Sequence, residues 1–338
     1  MRRFLPVLTV ATAVVVSPVS VLVQSPSAPE KLGRVHFETS CSEAVAGDFD
    51  RAMALLHSFE FPAAIAGFEQ VLKGDPSCGI AAWGIAMSVW GNPFSGLRAP
   101  RVIQDGQAAV ERAQTIGAKT SREREYIDAV TLLYRNADAN DQRTRTLAYE
   151  QDMEKIFTKY PDDLEAAAFY ALAIDQDALP TDKTFASQLK AAAILERLFT
   201  IEPDHPGVTH YLIHSYDVPP LAARGLPYAR RYADLAPDAP HALHMPAHTF
   251  TRVGLWQESI DTNIRSHDAA VKRGDSGEAL HAMDYMVYAY LQTAQDTAAK
   301  RVVDELTQML AKQPATSNGP GIAGGFPAAA IPARYALE

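Results

Sequence analysis

The stretch HPGVTHYLIHSYDVPP, residues 205–220, carries His210 and His214 four apart, with Asp217 three further on. PHALHMPAHTFTRVGLW follows with His241, His244 and His248, and His281 comes later. The chain has only ten histidines, and these are six of them. On a helix, residues i and i+4 project to one side, so each His-x-x-x-His pair brings two imidazoles together. Neutral imidazole suits zinc, copper, iron and nickel. Asp217, Asp284 and Asp175 (which aligns with Asp217 on the helix before) can add a ligand or accept the hydrogen bond that fixes a ring tautomer. The donor set is rich in nitrogen and has no cysteine nearby, unlike a structural Cys-type zinc centre. HYLIH places Tyr211 where zinc proteases carry Glu, which argues against thermolysin-like hydrolysis. Copper or zinc is the expected ion, iron is also admissible, and six imidazoles suffice for two metals.

The rest of the chain must position these side chains. A length of 338 residues accommodates two ordinary domains or one elongated repeat array. An apolar fraction of 47% supports an extensive core and excludes a disordered chain. Net charge is −9, and no basic run exceeds a pair such as Arg230–Arg231. Such a chain offers no basic face to neutralise phosphates, so no nucleic-acid partner is expected. It has no Walker loop, no dinucleotide glycine fingerprint and no Gly-x-Ser-x-Gly elbow, so no nucleotide cofactor is expected either.

MRR followed by FLPVLTVATAVVVSPVSVLV has the basic and apolar regions of a secretory signal. Residues 1–25 are therefore read as a signal peptide cleaved within 24–28, and a periplasmic or secreted protein is expected. A membrane is involved only if that signal stays uncleaved. In an oxidising compartment Cys41 and Cys78 can pair, provided the fold brings them together.

Residues 26–46 read as a lead-in. Beyond them the pattern is helix, short turn, helix, with no alternating strand pattern. Helices end at KGDPSC, KYPDD, IEPDHP and LAPDAP. With Pro76 at position 32 of a 34-residue frame, Ala52, Ala64 and Phe68 fall at 8, 20 and 24. AHTFTRVGLWQESIDTN supplies Ala247, Phe250, Gly254, Trp256 and Ser259 at 8, 11, 15, 17 and 20. Over residues 47–312 the chain resembles the tetratricopeptide repeat (TPR) proteins, with stretched units between 90 and 160. FDRAMALLHSFEF is similar to the opening of bacterial exported members. The resemblance implies an all-α solenoid of stacked antiparallel hairpins, whose first helices line a groove that binds a peptide or protein partner. It brings no established activity. It also sets Cys41 and Cys78 at the same end of the first hairpin, where a disulfide is reasonable. Residues 313–338 read as a loop and an incomplete further repeat, as expected of a piece of a longer protein.

His210 and His244 are 34 residues apart, as are His214 and His248, so the pairs recur at equivalent positions of adjacent first helices. In the frame set by Ala247 and Phe250, His241, His244 and His248 take positions 2, 5 and 9, which the resemblance places in the groove. His281 continues the series, with Asp284 and Tyr288 on its side. Three readings fit this ladder: a transition-metal site, a polar groove holding a peptide with Arg252 and Arg224 as carboxylate partners, or buried histidines that bridge packed helices. Simpler roles are expected elsewhere: packing for His57, Trp83 and Trp90, a helix cap for His205, a place in the first hairpin for His36, and the surface for His267.

Overall fold

The computed structural model describes residues 30–312 and 325–338; residues 1–29, on which the expected signal peptide falls, and residues 313–324 lie outside the described residues. Residues 31–338 form one compact unit of helices, and among the described residues there is no strand. The chain runs through hairpins of α1 (Ala46–His57) with α2 (Phe61–Gly74), α3 (Gly79–Trp90) with α4 (Pro100–Ile116), and α5 (Ser121–Tyr134) with α6 (Gln142–Lys159). It continues through α7 (Leu164–Gln176) with α8 (Ala186–Ile201) and α9 (Pro206–Ser215) with α10 (Ala222–Leu235). The next first helix is split into α11 (Pro240–His244) and α12 (Pro246–Arg252), and packs with α13 (Trp256–Arg273). Then come α14 (Ser276–Gln292), α15 (Asp296–Lys312) and α16 (Gly325–Leu337).

Each hairpin closes on small residues. The Ala52–Gly67 approach of α1 and α2 is so tight that a Cβ at Gly67 would stand 2.9 Å from that of Ala52. First helices pack on first helices, as in α1·α3, α3·α5, α7·α9 and α9·α12, while second helices pack outward on their own and the following first helix. This two-layer stacking is the expected TPR-like α-solenoid, and a continuous core runs through it from Leu32 to Phe250. Trp83 and Trp90 are both in that core. The split at Met245–Pro246 was not expected from the histidine spacing; Pro246 has no N–H to carry the helical ladder across it.

The first hairpin does more than start the stack: it reaches across to the fifth. His57 Nδ1 meets the Tyr211 hydroxyl at 2.9 Å, and Tyr232 donates to Ser58 Oγ at 3.2 Å. Helix α9 comes this close because Gly207 has no side chain; a Cβ there would sit 2.4 Å from His57 Nδ1. The lead-in acts as a strap, with Arg34 N donating to Asp204 O at 2.9 Å and Lys31 N to Asp238 Oδ2 at 2.7 Å. The inner face expected as an open groove is thus partly filled by the α1–α2 turn, whose Phe59 adopts φ +56°. A left-handed phenylalanine costs on the order of 1–3 kcal/mol, which the packing around its ring must offset.

At the other end, α16 lies on α14 and α15, burying Ile331 beside Leu280 and Met283. Cys41 and Cys78 are joined, with Cα atoms 5.0 Å apart and a separation of 37 in sequence. Closing a loop of that length constrains the unfolded chain by about 4 kcal/mol. A Cys41→Ser/Cys78→Ser variant is therefore expected to lose about that much stability, read as a lower urea midpoint.

Candidate metal centre

Two triads of imidazoles meet where α9, α11, α12 and α14 stack. In His210, His214 and His241 one ring nitrogen from each lies within 4.8 Å of the others, and His244, His248 and His281 do the same. The triads adjoin: the His214 ring is 5.8 Å from that of His248, and the His241 ring 5.9 Å from that of His244. His210 and His244 are fully buried, whereas His214, His248 and His281 are partly open.

The outer nitrogens are held by the surrounding protein. His210 Nδ1 donates to the His57 carbonyl oxygen at 2.7 Å. His244 Nδ1 donates to Asn263 Oδ1 at 2.7 Å, and that amide is oriented by its own donation to the Ser259 carbonyl. His248 Nδ1 donates to Asp217 Oδ2 at 2.8 Å, while Arg252 Nε holds Asp217 Oδ1 at 2.8 Å. His241 Nδ1 faces Glu278 Oε2 at 3.2 Å, and its Nε2 is buried with no hydrogen-bond partner among the described residues. A neutral ring that donates from Nδ1 carries its lone pair on Nε2. His210, His244 and His248 thus turn lone pairs inward: His244 and His248 Nε2 are 3.0 Å apart, and His210 Nε2 lies 3.1 Å from His214 Nε2.

Two lone pairs at that distance repel unless a proton or a cation lies between them. Nitrogens about 2.0–2.1 Å from a shared ion would stand about 2.9–3.4 Å apart for square to tetrahedral angles. Protons are disfavoured at His210, His214 and His244. Burial pulls His210, His214 and His244 well below the usual histidine value, and neighbouring imidazoles pull them further. Burial brings His281 down to about 4. His241 differs, because the Glu278 carboxylate outweighs its burial and raises it. Burial pushes Asp217 up, but His248 and Arg252 prevail and hold its carboxyl below the ordinary range.

A third cluster, His57, Glu165 and His205, is saturated. Glu165 takes His57 Nε2 at 2.8 Å and His205 Nε2 at 3.0 Å, and His205 Nδ1 accepts from Val208 N as the cap of α9. With both rings committed, this cluster braces α1, α7 and α9.

The other sequence candidates have mixed placements. Asp175 lines a cavity of about 670 Å³ beside His214, Asp217, His241, His248 and His281. Asp284 is buried and paired with Arg334 of α16 at 2.7 Å. Tyr288 stacks edge-on against Trp256 under Arg334, outside the triads. Arg224 reaches Glu196 instead of the histidines. His36 is exposed and pairs with Asp50. His267, expected at the surface, is 9% exposed, because α15 covers it and brings Glu305 to its Nε2 at 3.2 Å. Three contributors were not anticipated. Tyr285, one turn after His281, places its hydroxyl 3.4 Å from His248 Nε2, and its i+4 spacing was readable. Asn263 and Phe59 come from a second helix and a turn, and no local pattern marks them; the Phe59 ring lies 4.4 Å from that of His210.

No protein-family model matches the chain, and no curated protein matches it. Among solved structures it is similar to the TPR domain of P58(IPK), at 13% identity and a TM-score of 0.25, over 80% of this chain and 85% of that one. The all-helical stacking described above carries the fold assignment by itself.

The lowered histidines make acid stability predictable. A group protonated more readily when unfolded favours unfolding below its unfolded value of about 6.5. His57, His210, His214, His244 and His281 all act in this sense, and His241, Glu60 (raised to about 7 by burial) and Asp175, which bind protons more readily when folded, oppose them. Stability of the metal-free protein is expected to hold above pH 7 and to fall by several kcal/mol between pH 7 and 5. Urea midpoints across that range check it.

Proposed function

We propose that the protein is an exported transition-metal-binding protein whose two histidine triads, His244/His248/His281 and His210/His214/His241, hold copper or zinc. The observation that carries this reading is the meeting of His244 and His248 Nε2 at 3.0 Å with both Nδ1 atoms already donating. That arrangement leaves two lone pairs converging, and the outer acceptors fix tautomer and ring direction as they do around metal-bound histidine. All-nitrogen donors suit copper and zinc, with iron a lesser fit. The cavity beside the triads leaves room for a further ligand at the metal, which when bound would act as a Lewis acid or redox centre. Export is supported by the N-terminal sequence and by the Cys41–Cys78 bond, since disulfides persist in oxidising compartments.

Stacked first helices are also how repeats of this kind hold peptides. Here the fully buried His210 and His244, and the Phe59 turn laid over the inner face, favour an ion over an extended chain.

Metal content by inductively coupled plasma mass spectrometry, on protein made without an affinity His-tag, is expected to be near-stoichiometric. A His210→Ala/His244→Ala variant should lose it, and Asn263→Leu or Asp217→Asn should weaken affinity roughly 10–100-fold. No uptake of copper, zinc or iron on reconstitution would sink the proposal.

A further inference from the structure

The cavity of about 670 Å³ has the size of a small-molecule site, and four of the proposed ligands, His214, His241, His248 and His281, form one side of it. Its other walls are informative in two ways. Phe94 stacks on His214 with centroids 4.2 Å apart yet is 39% exposed, and Phe326, 74% exposed, borders the same space. Among the described residues that line it there is no lysine or arginine, while Asp175 and Asp217 are present. Such walls suit a flat, apolar body and repel a polyanion.

Asp175 adds a directional demand. It is 7% exposed, and its Oδ1 is buried without a hydrogen-bond partner among the described residues. Its Oδ2 lies 2.5 Å from Ser215 Oγ, which is also 3.0 Å from the Tyr211 carbonyl oxygen. A hydroxyl has one proton and cannot donate to both. If Ser215 donates to Tyr211, the Asp175 carboxyl must supply the proton to Ser215; if Ser215 donates to Asp175, the carboxylate needs none. With the proton held along the short Oδ2–Ser215 contact, Oδ1 is left as an acceptor. No charged side chain is paired with Asp175 among the described residues, and burial raises its carboxyl well above the usual range, which favours the neutral form. An orphaned acceptor in a cavity wall costs about 1–3 kcal/mol unless a donor arrives.

Resting on the metal reading above, we infer that this cavity is the binding site for an aromatic small molecule with a metal-ligating oxygen and an adjacent N–H or O–H, the ring lying against Phe94 and the donor reaching Asp175 Oδ1. Aromatic hydroxamic acids and catechols are of this class.

The test uses the cobalt(II)-loaded protein under argon, with cobalt content measured first and ligand binding followed by the visible bands of the ion. Benzohydroxamic acid is expected to bind about tenfold tighter than acetohydroxamic acid, which lacks the ring, and about tenfold tighter than N-methylbenzohydroxamic acid, which lacks the N–H. Phe94→Ala should erase the first preference and Asp175→Leu the second, with cobalt content unchanged. Because Phe94 is half-exposed in a loop, its variant keeps the test decisive if the Asp175 change impairs folding. A protein that takes up cobalt but binds all three ligands equally, unaffected by either variant, overturns the pocket and leaves the metal centre standing. A protein that takes up neither cobalt nor copper, zinc or iron overturns both.

Discussion

The hydrogen bond from His210 Nδ1 to the carbonyl oxygen of His57 joins residues 153 apart in sequence, and the rest of the centre depends on it. It ties the first hairpin to the fifth, so the α1–α2 turn is pressed onto the inner layer and Phe59 covers His210. It also sets the His210 tautomer, which turns Nε2 toward His214. One contact thereby links the closure of the fold to the chemistry of the site. Remove it, and the buried imidazole loses both its acceptor and its direction.

Burying so many histidines has an electrostatic cost that the structure meets in two ways. Around His57 and His205 it supplies one shared carboxylate, Glu165, whose pKa falls because both rings outweigh the effect of its burial. Around the triads it supplies acceptors at the outer nitrogens of His210, His241, His244 and His248, while the inner nitrogens meet one another or, at His241 Nε2, no partner among the described residues. A saturated cluster resists change, whereas a set of unmatched lone pairs invites a cation. The first therefore reads as a brace and the second as a site, although both are built from the same residue type.

Much of this could be read from local patterns. Small residues at helical spacing and prolines after each helix carry the hairpins, because close packing and helix termination are short-range effects. The 34-residue interval between His210 and His244 places two imidazole pairs side by side for the same reason. What local pattern could not provide was the reach of the first hairpin to α9, since no spacing in the sequence encodes a contact between residues 57 and 210. Asn263 and Phe59 follow from that limit. The burial of His267 does too, since it depends on where α15 lies. Asp284 looked like a partner of His281 by spacing, yet its carboxylate is taken by Arg334, which lies 50 residues downstream.

The strap and the α1–α9 contact also change how such a chain must assemble. An open solenoid has only nearest-neighbour interfaces, so ordering can begin in any hairpin and spread along the array. Here the interior is finished only when the two ends of a loop of roughly 150 residues meet, a step whose entropy cost is borne before the contacts that reward it. The late event in folding is then ring closure, and the imidazole cluster forms as the seam shuts.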